Sequence, residues 1–214
     1  MPIAAPATAA AAALIALAGH ALGPLALLLA LPAGFVAWLV QRRVQVRERR
    51  LQMLAQRDAL TGLGNRRVLQ ERLAYEIARH QRHRRRFCVV AMDLDGFKGV
   101  NDRFGHQAGD DVLREVARAL QRTVREQDTL VRLGGDEFCI LAPESGPHEG
   151  ERLAARVRWA VAGAVEGLES LSVSAGWAVW PDDGAKPDEL LKRADEAAIA
   201  AKRRRAGRFT KRAA

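Results

Sequence analysis

Charge begins abruptly in this chain. Of its 214 residues, the first 41, "MPIAAPATAAAAALIALAGHALGPLALLLALPAGFVAWLVQ", include no Lys, Arg, Asp or Glu. A stretch of that composition has no polar face to turn to water, so it belongs in a core or a bilayer. Ala21 to Val40 is long enough as a helix to cross about 30 Å of hydrocarbon. Pro2 to Ala18 supplies a shorter second span, with "GHALGP" as the turn between them. A cleaved signal peptide would start with a basic region and lead into a polar mature sequence, which this chain does not do. Residues 1–41 are therefore expected to be a membrane anchor, a helical hairpin with a single span as the alternative. The five arginines of "RRVQVRERR" (Arg42 to Arg50) follow at once. Such a run beside a span sets topology, cytoplasmic side inward, and also touches anionic lipid.

The chain carries a net charge of +9, from 34 Lys+Arg against 25 Asp+Glu. Nucleic-acid binding through "QRHRRR" (Gln81 to Arg86) or "KRRR" (Lys202 to Arg205) would rest on that charge alone, without interleaved aromatics, and none is expected. The two cysteines, Cys88 and Cys139, lie inside apolar strand-like runs, which suits core packing in a reducing compartment better than a disulfide or a metal site. Residues 42–57 place Val44, Leu51 and Leu54 at near-heptad intervals, as a short signalling helix pairing with its copy would.

Residues 58–214 suffice for one full core. Apolar periodicity predicts helices over Asn65 to His83, Gly109 to Arg125, Glu149 to Ala164 and Pro187 to Arg203. Strand patterns occupy Phe87 to Leu94, Thr129 to Leu133, Glu137 to Ala142 and Leu171 to Trp180. The order α, β, α, β, β, α, β, α contains one hairpin, so a mixed or antiparallel sheet is expected with helices on one side.

Two acidic clusters interrupt these strands. In "RLGGDEFCIL" (Arg132 to Leu141) the glycine pair supplies the positive φ angles of a tight hairpin, with Asp136 and Glu137 at its tip. The ordinary alternative is a solvated turn with Glu137 facing Arg132 across the hairpin. In "MDLDGFKGVNDRFGHQAGDD", Asp93 and Asp95 close a hydrophobic strand, and a loop leads toward the next helix. A carboxylate at a strand end facing one on a neighbouring hairpin can hold Mg²⁺, which takes one or two protein carboxylates and completes its octahedron with water and phosphate. Asp93 and Asp136 are the natural pair. A calcium loop starting at Asp93 fails, because Phe97, Lys98 and Phe104 fall where oxygen ligands, Gly and Glu are needed.

The motif "GGDEF" (Gly134 to Phe138) resembles the signature of the GGDEF family of diguanylate cyclases, and four further stretches resemble that family in order. They are "DALTGLGNRR" (Asp58 to Arg67), Asp93 to Asp110, "SVSAGWA" (Ser172 to Ala178) and "KRADEAAIAAK" (Lys192 to Lys202). The resemblance implies an α/β (α+β) domain of ferredoxin-like, palm-type architecture, a mixed sheet with flanking helices; with the uncharged segment and its arginines, the expected place is the bacterial inner membrane, with the domain in the cytoplasm. The resemblance also implies condensation of two GTP, one on each domain of a homodimer, into cyclic di-GMP and two pyrophosphates, with Mg²⁺ or Mn²⁺. In its light Asp93, the carbonyl of Leu94 and Asp136 bind metal, and Glu137 is a further ligand or the base for the 3′ hydroxyl. Asn101 and Asp110 would read guanine, while backbone near Phe97, with Lys98, Lys202 and Arg208, would meet phosphate. Gly134 and Gly135 would let the nucleotide pass against bare backbone.

Between Lys202 and Gly207 four residues stand where the family has two, so either the helix is longer or Arg204 replaces the lysine. Ile199 stands in place of the usual tyrosine. "REQD" (Arg125 to Asp128), nine residues before Gly134, resembles the family's inhibitory site for its product, with Arg156 as the contact from a neighbouring domain. A catalytically silent receptor for GTP or cyclic di-GMP is the alternative to the enzyme, disfavoured because all three signature acids are present.

Overall fold

A computed structural model describes residues 35–45, 56–168 and 171–212, with side chains through 205. Two compact units divide the chain, Met1–Ala55 and Gln56–Ala214. In the first, residues 35–45 form helix α1, where Phe35 stacks on Trp38 at 5.9 Å and the Arg42 guanidinium lies 5.2 Å from the Trp38 ring centroid. Most of the expected anchor lies outside the described residues. Among the described residues, no helix is long and apolar enough to cross a membrane.

The second unit runs α2 (Arg66–His83), β1 (Phe87–Asp95), α3 (Phe97–Phe104), α4 (His106–Thr123), β2 (Thr129–Gly134), β3 (Glu137–Ala142), α5 (Pro147–Ala164), β4 (Ser172–Trp180) and α6 (Pro187–Arg212). Asn65 starts α2 by accepting from the backbone N–H groups of Arg67 and Val68, two donors a helix start leaves without partners. The sheet order is β2-β3-β1-β4. Every pairing among the described strands is antiparallel, one of the two forms expected from the strand order and not the mixed sheet that the resemblance implies.

Helices cover both faces rather than the one side expected. On one face Cys88, Val90, Met92 and Leu94 pack with Leu113 and Val116 of α4 and Leu153 and Val157 of α5. On the other Phe87, Val89 and Ala91 pack with Leu69 and Leu73 of α2 and Leu190 and Ala194 of α6. The signal lay in "FCVVAM", a continuous apolar run: a strand with one wet face alternates, whereas β1 is buried at six consecutive positions. Each fully buried leucine, such as Leu69, Leu73 or Leu190, contributes about 1.5–3 kcal/mol. Cys88 and Cys139 belong to opposite faces and both are free thiols; burial pushes the Cys88 thiol up to about 12.

Two boundaries differ in ways that matter to the site. The stretch after Asp95, expected as a loop, is the helix α3, whose three-glycine neighbourhood hid its periodicity while Phe97 and Val100 anchor it in the core. Helix α6 continues to Arg212, past Arg203, so the longer-helix alternative fits the extra residues before Gly207.

Candidate active site

The glycine hairpin forms as expected. Gly134 and Gly135 have φ of +139° and +54°, and a Cβ on either would meet no atom within 4 Å, so backbone conformation and not crowding requires glycine here. The turn carries Asp136, half-buried, to the end of β1, where the N–H of Leu94 donates to the Asp136 carbonyl at 3.3 Å. Glu137 opens β3 directly opposite Asp93 in the ladder. Three carboxylates therefore gather near one corner of the sheet. Burial, with the Asp93 charge adding to it, holds the Asp136 carboxyl above its usual range.

Arg132 does not face Glu137; its ladder partner is Phe138. Its guanidinium reaches round the turn, donating from Nε and Nη2 to the Gly135 carbonyl at 3.0 and 2.7 Å and from Nη1 to Asp58 Oδ1 at 3.0 Å. Asp58 also accepts from the backbone N–H and hydroxyl of Thr61, at 2.9 and 2.6 Å. The segment braces the hairpin again through Gly64, whose carbonyl accepts from the N–H of Arg132 at 2.9 Å. A Cβ at Gly64 would stand 2.9 Å from Val131 Cγ1, so the close approach needs glycine. Thus "DALTGLGNRR" is a buttress for the glycine turn, a role that its sequence pattern does not assign to Asp58 or Arg132.

Lys202 comes from α6. Its Nζ lies 2.6 Å from Asp93 Oδ2 and 2.9 Å from Asp95 Oδ1, and these two carboxylates drive the lysine pKa upward. Asp95 also accepts from the Ser174 hydroxyl at 2.6 Å. The helix can come this close because Gly176 lacks a side chain: a Cβ there would sit 2.0 Å from the Ala198 backbone nitrogen. A cavity of about 300 Å³ opens beside the carboxylates, lined by Asp93, Glu137, Ser174, Asp195, Ile199 and Lys202. Ile199 is half-exposed there at 51%, and burial raises the Asp195 carboxyl.

On the other side of Asp95, α3 presents its start. Gly96 caps it at φ +85°, and the first-turn N–H groups of Phe97 and Lys98 have no carbonyl four residues back within the helix. The Phe97 ring is buried and the Lys98 side chain exposed. Asn101 packs against Gly109, where a Cβ would stand 1.9 Å from Asn101 Oδ1, so Asn101 on α3 and Asp110 on α4 share one wall. Arg208 lies on the backbone of α6, its side chain outside the described ones.

The sequence-predicted regulatory residues are gathered at the far end of β2. Arg125 N–H donates to Asp128 Oδ2 at 2.9 Å and Asp128 N–H donates to the Arg125 carbonyl at 3.1 Å, a closed turn. Arg156 of α5 reaches the same place, donating from Nη2 to the Thr123 carbonyl at 2.6 Å.

Among the described residues no three His, Cys, Asp or Glu side chains converge as a ready ligand set. What the corner offers is two carboxylates, Asp93 and Asp136, both hard oxygen donors. That donor set suits a divalent ion which keeps water and substrate oxygens in its shell.

The site is thus an antiparallel sheet with a carboxylate-bearing glycine hairpin beside a strand-end aspartate pair. The chain belongs to the diguanylate cyclase GGDEF domain family, which matches residues 55–208. It is similar to the bifunctional diguanylate cyclase/cyclic di-GMP phosphodiesterase MucR of Pseudomonas aeruginosa, 43% identical over 157 residues, 72% of this chain and 23% of that protein. The response regulator PleD of Caulobacter vibrioides is 39% identical over 155 residues, 70% of this chain and 34% of PleD. The chain thus spans about a quarter to a third of the length of these relatives. Among solved structures, diguanylate cyclase SiaD of Pseudomonas aeruginosa in complex with its activator SiaC superposes with a TM-score of 0.65 at 35% identity, covering 80% of this chain and 67% of that one. The coiled coil and GGDEF domain of DgcB from Caulobacter crescentus, in complex with c-di-GMP, gives 0.63 at 27%, covering 81% and 94%.

Proposed function

We propose that this chain is a membrane-anchored diguanylate cyclase, condensing two GTP into cyclic di-GMP and two pyrophosphates across a homodimer that holds one nucleotide per domain. The observation that carries the reading is the corner itself: Asp136 on a glycine turn, Asp93 at the end of β1, and Glu137 opposite Asp93 in register. Asp93, Asp136 and the Leu94 carbonyl are the groups for Mg²⁺ or Mn²⁺. Such an ion, when bound, neutralises the triphosphate and lowers the proton affinity of the attacking 3′ hydroxyl. Glu137, opposite Asp93 in the ladder, is a further ligand for that ion or the base that takes the proton.

The free N–H groups opening α3, with Lys98 and Lys202, grip phosphate, and the bare backbone of Gly134 and Gly135 lets the nucleotide lie close. Asn101 and Asp110 read guanine, since a carboxylate accepts from the base's N1 and N2 hydrogens and adenine offers no such pair. Arg125, Asp128 and Arg156 form the product-inhibition site; an arginine fork and a carboxylate match phosphate and the guanine edges. Support for product binding comes from the DgcB structure, which holds c-di-GMP.

Incubating the full-length protein with GTP and Mg²⁺ tests the activity. Cyclic di-GMP and two pyrophosphates per product are expected; GTP that binds and returns unchanged would leave a receptor and remove the cyclase. The anchor is tested separately. The chain is expected in the membrane fraction after an alkaline carbonate wash, and removal of residues 1–41 is expected to release it.

A further inference from the structure

The start of β1, at the opposite end of the strand from Asp93, borders a second and larger cleft of about 660 Å³. Its walls come from three places: the end of α2 with Arg84, Arg85 and Arg86, the turn after β3 with Glu144, and the end of β4 with Trp180 and Asp182. Nothing in the proposed chemistry uses it.

Its floor is built and polar. His80, 1% exposed, lines the cleft; its Nε2 accepts from the backbone N–H of Glu144 at 3.3 Å, so Nδ1 carries the proton and donates to the Glu76 carbonyl at 2.9 Å. Glu76, fully buried, takes ion pairs from Arg72 and Arg79. Trp180 is 8% exposed, stacks at 5.7 Å on Phe87, and has an indole Nε1 with no hydrogen-bond partner among the described residues.

Charge is out of balance at the rim. Glu144 is taken by Arg79 at 3.1 Å and by Arg85 at 2.7 Å, and Asp182 by Arg86 at 3.1 Å. The Arg84 side chain has no partner among the described residues. At the rim Arg84, Arg85 and Arg86 thus face Glu144 and Asp182, with Arg79 shared between Glu144 and the buried Glu76. Basic residues after a helix end are ordinary, since they complement its dipole. Two features go beyond that. Arg84 is left-handed (+50°) as the C-cap of α2, as helix ends often are, but Glu144, the other non-glycine residue with positive φ among those described, has +52° on this cleft with no helix end to account for it. Left-handed residues of this kind concentrate where a ligand fixes the backbone. The second feature is the orphaned indole donor of a buried wall residue.

We propose that this cleft binds a phosphate-bearing anion, held by Arg84 and by the remaining guanidinium donors of Arg85 and Arg86, with the Trp180 indole as its wall. Guanidinium forks match phosphate oxygens in pairs, and the Arg84 guanidinium at the rim is left without a partner among the described residues. The phosphate can belong to a free anion or to a phospholipid headgroup, and the recognition chemistry is the same for both. The site lies about 20 Å along β1 from Asp93, by strand rise from Phe87, and so is separate from the nucleotide site.

The test is calorimetric titration of the full-length protein at low salt without divalent ion, using inorganic phosphate in one arm and glycerophosphoglycerol, a lipid headgroup without its chains, in the other. Saturable binding in at least one arm is expected, with affinity lowered at least about tenfold in the Arg84→Ala/Arg86→Ala double variant. The ligand should also change tryptophan fluorescence in the parent and not in Trp180→Phe. Tighter binding of the headgroup assigns the source to lipid, and tighter binding of inorganic phosphate assigns it to a free anion. Retained GTP turnover shows that the double variant is folded. Equal affinity in parent and double variant, no binding in either arm, or stronger competition by an acidic peptide than by both phosphate probes would each overturn the proposal.

Discussion

The two ends of β1 differ in what they do with charge. At its end, the strand's unbroken burial gives way to the partly exposed Asp93 and the more covered Asp95, which share the single charge of Lys202, with two open glycines nearby. At its start, His80 and Glu76 are sealed beneath Phe87, the imidazole bonded at both nitrogens and the carboxylate paired with two arginines. A buried charge must be compensated within the protein, so polar groups at the start are structural. A partly exposed carboxylate that its neighbours under-compensate retains capacity for something brought from outside. The acidic end is built to bind, and the floor of the other end to hold.

That contrast breaks first at Asp136. Asp136→Asn keeps the shape of the turn and removes a hard anionic oxygen, so GTP turnover is expected to fall by roughly 10²- to 10³-fold or more while the thermal midpoint stays or rises. A rise follows because burial disfavours the native carboxylate's charge. Near-normal synthesis of cyclic di-GMP by this variant would remove Asp136 from the ligand set. At the sealed end the pattern reverses. His80→Ala leaves a cavity and an unpaired N–H on Glu144, and is expected to cost about 2–4 kcal/mol of stability, read from denaturant unfolding, with turnover per folded molecule unchanged.

How much of this was legible depended on whether the signal was local. The hairpin was readable because two adjacent glycines and the flanking runs contain all its information. Asp93 and Asp136 could be paired because one ends a strand and the other tips a turn. Helix α3 was not readable: "GFKGVNDRF" has poor helix formers, and its stability comes from Phe97 and Val100 against the core, which is tertiary. The two-sided sheet was legible in principle from six apolar residues in succession, but helix order alone does not say which face each helix takes. The roles of Arg132, Asp58 and Gly176 were hidden for a simpler reason: their partners stand 74 and about 20 residues away, at contacts no period reveals.

The turn at Arg125 sharpens the comparison at a smaller scale, since it lies at the far end of β2 from the glycine hairpin. Arg125→Ala removes the exposed fork while Asp128 and Arg156 remain. Product inhibition is expected to weaken by at least about tenfold, with the initial rate in the absence of product within about twofold of the parent. Initial rates measured against added cyclic di-GMP decide it. Equal inhibition of both proteins would place the inhibitory contact elsewhere.

The smallest expected effect concerns Asp58, the residue that joins the opening segment to the hairpin. Burial opposes its ionisation, but the two hydrogen bonds from Thr61 and the Arg132 guanidinium outweigh burial and leave its pKa below the ordinary carboxylate value. A carboxylate depressed in the folded chain binds its proton more readily when unfolded. Its stabilisation is therefore fully present above the unfolded value of about 3.9 and is lost as pH falls through the lower folded one. Asp58→Asn keeps an acceptor for Thr61 but loses the charge toward Arg132, so it is expected to be less stable than the parent by about 1 kcal/mol at pH 7. Urea midpoints of the two proteins, compared from pH 7 downward, should hold that gap until about pH 4 and converge below it. A gap that persists unchanged into that acid range would show that the Asp58 carboxylate contributes by shape and not by charge, and that Arg132 holds the hairpin through Gly135 alone.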